Sequence, residues 1–308
     1  MQKLSHCTSP PYSVMPMPTV VEILKKTQIF FEKAKIPSPR LEAELIFCHI
    51  LKTNRVGIYM KHDMPLKDAE LGELRSLVVR RGKREPLAYI LGSTGFYEDS
   101  FVVENGVLCP RPDTETVVNV ALSWIPKLDE KDLKNSGDLF IADIGCGTGC
   151  IGLSVIKQRT QTKLYAVDIS PLAISCLRKN IELLNLKERV GVICGDLISA
   201  IPQNRPIDIV LSNPPYIPSQ DINALEPEVA LFEPRLALDG GPDGLSFYRR
   251  LIDEASSRAR IGMIVEVGIN QAQDVAQMFE QSKWEDVSIH KDLAGHERVV
   301  AAKSPLSS

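Results

Sequence analysis

The stretch from Leu139 to Ile156 constrains the fold of this chain more than any other. Leu139-Phe140-Ile141-Ala142 reads as a strand, Asp143-Ile144-Gly145-Cys146-Gly147-Thr148-Gly149 as a glycine-rich turn, and Cys150-Ile151-Gly152-Leu153-Ser154-Val155-Ile156 as the start of a helix. Glycine reaches backbone conformations closed to other residues, so such a turn lets the main chain approach a ligand closely, with helical N–H groups pointing at it. A second strand, Lys163-Leu164-Tyr165-Ala166-Val167, ends on Asp168, where an acid that accepts ribose hydroxyls belongs. The alternation continues, with strands expected at 139–144, 163–168, 190–195, 207–212 and 261–267 and helices near 150–159, 171–185, 244–259 and 271–282. That rhythm predicts an α/β architecture, a mostly parallel sheet covered on both faces, with Val287-Ser288-Ile289 and 297–302 as a terminal hairpin pair. Ligands sit at the carboxyl ends of such strands near the switch point, so the glycine turn, Asp168, Asp196 and Asn213 are expected to converge.

The run Ile207-Asp208-Ile209-Val210-Leu211-Ser212 leads into Asn213-Pro214-Pro215-Tyr216. Each proline fixes φ and removes a donor, and the residue before each is pushed toward extended geometry, which aims carbonyls outward. An Asn side-chain oxygen and a stiffened backbone carbonyl suit a planar nitrogen whose lone pair is delocalised, because both N–H groups must be gripped before the nitrogen can attack. Tyr216 offers a flat face for stacking on the target group. The plainer reading is a turn that ends a strand, which Asn-Pro and Pro-Pro also favour.

The glycine turn alone leaves two chemistries open. Gly147, Gly149 and Gly152 satisfy G-x-G-x-x-G, the dinucleotide fingerprint, with Asp168 on the adenosine ribose. Asp143 just ahead of the loop suits an ammonium group and repels a pyrophosphate, and Asn213 to Tyr216 has no task in hydride transfer. Both features favour S-adenosylmethionine and methyl transfer.

A chain of 308 residues accommodates two domains, and 44% hydrophobic with 24% charged residues is the composition of a globular protein. A net charge of −3 gives no overall pull toward nucleic acid; the densest positive run, Arg80, Arg81, Lys83 and Arg84, reads either as a solvated helix end or as a site for a ribosomal or RNA-associated partner. The cysteines at 7, 48, 109, 146, 150, 176 and 194 show no paired C-x-x-C spacing and read as reduced core residues; the five histidines, His49 and His62 among them, form no metal spacing, so no metal is expected. No stretch reaches the length of a membrane span, and residues 1–18 lack a signal-peptide core, so a disordered tail and a cytoplasmic protein are expected.

Between residues 19 and 91 the apolar spacing is helical: Val20, Ile23, Leu24, Thr27, Phe30 and Phe31, then Leu41, Leu45, Ile46, Ile50 and Leu51, then Leu71, Leu74, Leu77 and Val78. This predicts a small helical bundle for core formation or partner recognition. Residues 92–109 alternate like a hairpin and read as a linker, with the catalytic domain spanning 110–308. Arg111-Pro112-Asp113-Thr114-Glu115 opens a helix running to about Trp124, and 127–138 reads as a loop.

With these residues in place, the chain resembles the HemK/PrmC family, the protein-glutamine methyltransferases of peptide chain release factors. The likeness runs from about Thr19 to Lys303 and rests on the helical N-terminal region, Gly95-Phe96-Tyr97, Arg111 to Glu115, the glycine turn, Asn213 to Tyr216, Phe232-Glu233-Pro234 and Glu297-Arg298-Val299. The resemblance implies a Rossmann-like S-adenosyl-L-methionine-dependent methyltransferase sheet with a small N-terminal helical bundle for substrate recognition. It implies S-adenosyl-L-methionine as cofactor and the Gly-Gly-Gln glutamine of release factors as substrate, with no nucleic acid or membrane required and a monomer expected. It carries cofactor binding onto Gly145, Cys146, Gly147, Thr148, Gly149, Asp168, Leu197 and Asn213, to which the reading of the residues adds Asp143 and Asp196, and the glutamine clamp onto Asn213, Pro214, Pro215 and Tyr216. Leu197 departs from relatives that carry an aromatic beside the adenine, and 232–244 reads either as a mobile substrate loop or as a long surface connection. Asn-Pro-Pro-Tyr also occurs in enzymes that methylate amino groups of DNA or RNA, which is the rival substrate; a cofactor-binding scaffold without activity is the rival role.

Overall fold

The computed structural model describes residues 17–126 and 137–306. Most of the expected tail at 1–18 and most of the expected loop at 127–138 lie outside the described residues. The chain divides into two compact units between Ile90 and Leu91.

The first unit is helical, as its apolar spacing predicts. Helix α1 (Val20–Lys33) begins at Thr19, whose N–H donates to Glu22 Oε2 at 2.9 Å, and α2 (Pro39–Leu51) begins on a proline that needs no donor at that position. A short helix that the periodicity did not reveal, α3 (Arg55–Met60), precedes α4 (Asp68–Gly82) and α5 (Leu87–Leu91). Val20, Phe31, Ile46, Phe47 and Leu74 form the core. Arg40, Arg55 and Tyr59 close over the fully buried Glu44, supplying the partners its charge requires. The three arginines of the basic run are engaged within the unit: Arg81 is buried against Glu42, Arg80 pairs with Glu85, and Arg84 donates to the Lys35 carbonyl at 2.6 Å.

The second unit opens with the antiparallel hairpin β1 (Ser93–Phe96) and β2 (Asp99–Val102). A 3-10 turn at Pro112–Thr114 leads into α6 (Glu115–Trp124), and then strands and helices alternate: β3 (Leu139–Ile144), α7 (Cys150–Gln158), β4 (Thr162–Asp168), α8 (Pro171–Leu183), β5 (Val190–Cys194) and β6 (Ile207–Ser212). After α9 (Pro227–Phe232) and α10 (Ser246–Ser256) come β7 (Ala259–Glu266), α11 (Ala272–Gln281), β8 (Glu285–Lys291) and β9 (Glu297–Lys303). The seven strands stand in the order β5-β4-β3-β6-β7-β9-β8, parallel from β5 to β7, with β9 antiparallel to both neighbours.

Side chains alternate across the sheet, so Ile141, Leu164, Ile209 and Leu211 pack against α6, α7 and α8, whereas Ala142, Val210, Met263 and Val265 pack against α10 and α11. From β3 the chain steps outward through β4 to β5, then returns to place β6 on the other side of β3. The two connections diverge there and leave a crevice at the carboxyl ends of β3 and β6. Register makes those ends level, pairing Ile144 with both Val167 and Ser212, and Ser212 with Val265.

Candidate active site

A cleft of about 240 Å3 opens at this crevice, and Gly145, Cys146, Gly147, Thr148, Asp168, Asp196, Leu197, Asn213, Pro214 and Pro215 all line it. Gly145, Gly147 and Gly149 hold φ of +69°, +55° and +82°, the left-handed region that side chains resist. A Cβ at Gly145 would meet nothing within 4 Å, and one at Gly147 would reach only Val107, so the turn leaves an open cradle above its backbone. Gly149 instead lies under packed side chains, and its role is to start α7.

The two acids share the sheet face of Ile141 and Leu164 but behave differently, because Asp168 is the last residue of β4 and Asp143 lies one residue inside β3. Asp168 accepts from the Gly147 N–H and the Ser170 N–H, both at 2.8 Å, so its carboxylate is locked at the cleft wall with lone pairs to spare, and burial raises its pKa. Asp143 shares the parity of Ile141 and faces α7. Its side chain is fully buried, Oδ2 accepts from the Gly152 N–H at 2.9 Å, and Oδ1 has no hydrogen-bond partner. Desolvation, with the charge of Asp168 adding, pushes its pKa up to about 7. The direct contact with a ligand ammonium expected of Asp143 is therefore not the geometry found, because the residue supports the turn from beneath.

Asp196 lines the cleft and pairs with Arg250 at 2.6 Å, a contact half-open to solvent. Leu197 has φ +50° and ψ −149°, a combination nearly confined to glycine, and presents its side chain to the cleft. Pro214 and Pro215 form the wall beside Asn213, whose Nδ2 donates to Thr114 Oγ1 at 3.3 Å. Tyr216 does not line the cleft. Its ring packs on the core beside Gly268, its hydroxyl donates to Glu266 Oε1 at 3.4 Å, and its carbonyl accepts from Gln271 Nε2 at 2.9 Å. The stacking face expected of Tyr216 is occupied by packing, so the residue anchors the turn.

The segment 232–244 is not an open loop. Gly240 donates to the Ile217 carbonyl, Ser219 to the Gly241 carbonyl, and Asp239 accepts from Ser219 and Gly241, which staples the segment to the turn after Asn213. Glu233 is buried and takes a hydrogen bond from Arg111 at 2.5 Å, tying this segment to the one that carries Thr114. Sequence reasoning assigned Thr114 only to a helix start and missed Glu266. The signal for Glu266 was available, since it is the acid that ends an apolar strand, as Asp168 does. Among the described residues no cluster of acids, histidines and cysteines could hold a metal, and no helix is long and apolar enough to cross a membrane.

Comparison with known proteins accounts for this arrangement. Residues 22–92 match the PrmC N-terminal domain and 125–229 the methyltransferase small domain. Solved structures include the hMettl16 catalytic domain in complex with a MAT2A 3'UTR hairpin, with a TM-score of 0.53 at 16% identity over 79% of this chain and 83% of that one, a likeness of fold. The release factor glutamine methyltransferase of Geobacter sulfurreducens is 39% identical over 92% of this chain and 96% of its own length. That of Rhodopirellula baltica is 35% identical over 92% and 95%. A likeness of this strength that runs through both units and the whole cleft makes the chain a member of the release factor glutamine methyltransferase family.

Proposed function

We propose that this chain transfers a methyl group from S-adenosyl-L-methionine to the side-chain amide nitrogen of the Gly-Gly-Gln glutamine of peptide chain release factors. When bound, the cofactor supplies a methyl group on a positively charged sulfur. Gly145 and Gly147 offer the bare backbone against which it would lie, Asp168 the ribose acceptor, and Asp196 and Leu197 the adenine end. The observation that carries the reading is Asn213: its Nδ2 is committed to Thr114, so Oδ1 is the end available to accept from a planar N–H in the cleft. Such an acceptor strengthens as the attacking nitrogen becomes positive, and positioning supplies the remainder of the rate. No side chain has to act as a strong base, because the product amide sheds its proton to an acceptor or to water. The first unit, with no catalytic groups of its own, serves substrate recognition.

Incubation with labelled S-adenosylmethionine and purified release factor should label the factor, and a factor whose Gly-Gly-Gln glutamine is replaced should take up no label. Asn213→Ala should lower transfer about 10²–10³-fold, the loss expected of one preorganised contact, while leaving cofactor affinity largely intact. Labelling of DNA or RNA in place of the factor, or near-normal turnover by Asn213→Ala, would defeat the assignment.

A further inference from the structure

The two ends of an asparagine amide have almost the same shape, so only their partners decide which one faces a substrate. In this cleft the decision is made behind Asn213. Its Nδ2 points at Thr114 Oγ1, 3.3 Å away, and a hydroxyl that accepts still has one proton to donate. The nearby buried carboxyl is that of Glu266, 1% exposed; no hydrogen bond closes between it and Thr114 in this structure, although the hydroxyl favours its charged form. Glu266 Oε1 already takes the Tyr216 hydroxyl at 3.4 Å, while Oε2 is buried without a hydrogen-bond partner.

We propose that Thr114 and Glu266 form a positioning relay that fixes the orientation of the Asn213 amide and so presents Oδ1 to the substrate nitrogen. The proposal rests on the function given above. A carboxylate only accepts; Thr114 must then donate toward it and accept from Asn213, so direction is imposed from the buried end. A protonated Glu266, or a glutamine in its place, can donate to Thr114. The hydroxyl proton is then released toward Asn213 Oδ1, and the amide turns its N–H groups to face those of the substrate.

The surroundings keep the carboxyl close to this balance. Burial pushes Glu266 up to about 7, Asp113 adds to the rise, and Thr114, Arg298 and Tyr216 oppose it. The hydroxyl of Tyr248 donates to the Glu266 carbonyl at 2.8 Å, and Cys150 is a protonated thiol within the same field. Arg298 is itself held by Asp113 at 3.0 Å and Asp292 at 3.4 Å.

The test uses full-length Thr114→Val, Thr114→Ser and Glu266→Gln proteins, with single-turnover transfer to release factor, cofactor affinity by calorimetry and the pH profile of the rate. Thr114→Val should slow transfer on the order of 10²-fold with cofactor affinity unchanged, and Thr114→Ser should restore most of it, since only the hydroxyl is required. The wild-type rate should fall below about pH 7 as Glu266 takes up its proton, and Glu266→Gln should be slow throughout and lack that fall. Equal impairment of Thr114→Val and Thr114→Ser, or an acid limb that survives in Glu266→Gln, would overturn the relay. The wild-type reaction separates failure of the parent function from failure of the relay. Independently of activity, nuclear magnetic resonance should show a slowly exchanging Asn213 side-chain N–H that is lost in Thr114→Val, and its persistence would equally refute the proposal.

Discussion

Asp143 shows how a residue of the right chemistry can be spent on packing, buried one position short of its strand end against α7. Its place ahead of the glycine turn is legible in the sequence; its direction follows from counting parity from Ile141 toward α7, a step that needs to know which helix covers which face. The carboxyl ordinarily titrates near 3.8 and is raised to about 7 when folded, so its protonated form is favoured by folding. The stability this contributes is complete below about pH 4 and is lost as pH rises through 7. Asp143→Asn keeps an acceptor for the Gly152 N–H and removes the titration. Its melting temperature relative to wild type should climb between pH 5 and pH 7.5, and a difference that stays flat across that range would show that Asp143 does not titrate there. Asp168, Asp196 and Asn213 were readable as cleft residues because each ends or follows a strand. Glu266 ends an apolar strand in the same way, whereas Thr114 was not readable, because its importance lies in a contact with Asn213, 99 residues away in sequence.

At the scale of elements, the parallel strands were the most legible feature, since central strands such as β6, buried along their whole length, read as nearly continuous apolar runs. The short helices were not. Helix α3 contains Gly57 and holds together through the Asn54 side chain, which accepts from the Gly57 N–H at 2.8 Å, and six residues give periodicity no room to appear. The segment 232–244 reads as a loop from its glycines and prolines and is largely irregular; what the sequence does not show is the set of long-range hydrogen bonds to the turn after Asn213 that holds it. Where α7 meets β4 the packing leaves no slack. A Cβ on Gly152 would stand 2.8 Å from Leu164 and 2.9 Å from Asp143 Oδ2. Gly152→Ala, although it raises helix propensity, should therefore destabilise the protein by about 1–3 kcal/mol. Denaturant unfolding measures this, and a stability equal to or above wild type would mean that α7 can shift away from the sheet at no cost.

At the scale of the molecule, the glycine turn, Asp168, Asn213, Thr114 and Glu266 all belong to the second unit, while 22–92 matches a domain of its own. Removing residues 1–90 should leave a protein that binds S-adenosylmethionine as the full chain does and methylates intact release factor poorly. Calorimetry and a transfer assay together check this; full transfer by the shortened protein would take substrate recognition away from the helical unit. The sheet of the second unit also carries a constraint on how the molecule is made. Strand β9 is the last in sequence, yet it lies inside the sheet between β7 and β8, with Val299, Val300, Ala301 and Ala302 fully buried. Until the ribosome has released the chain through residue 303, β7 presents an unpaired edge and Arg298 is missing from beside Glu266, so the nascent second unit carries an open sheet edge that only this late strand can close.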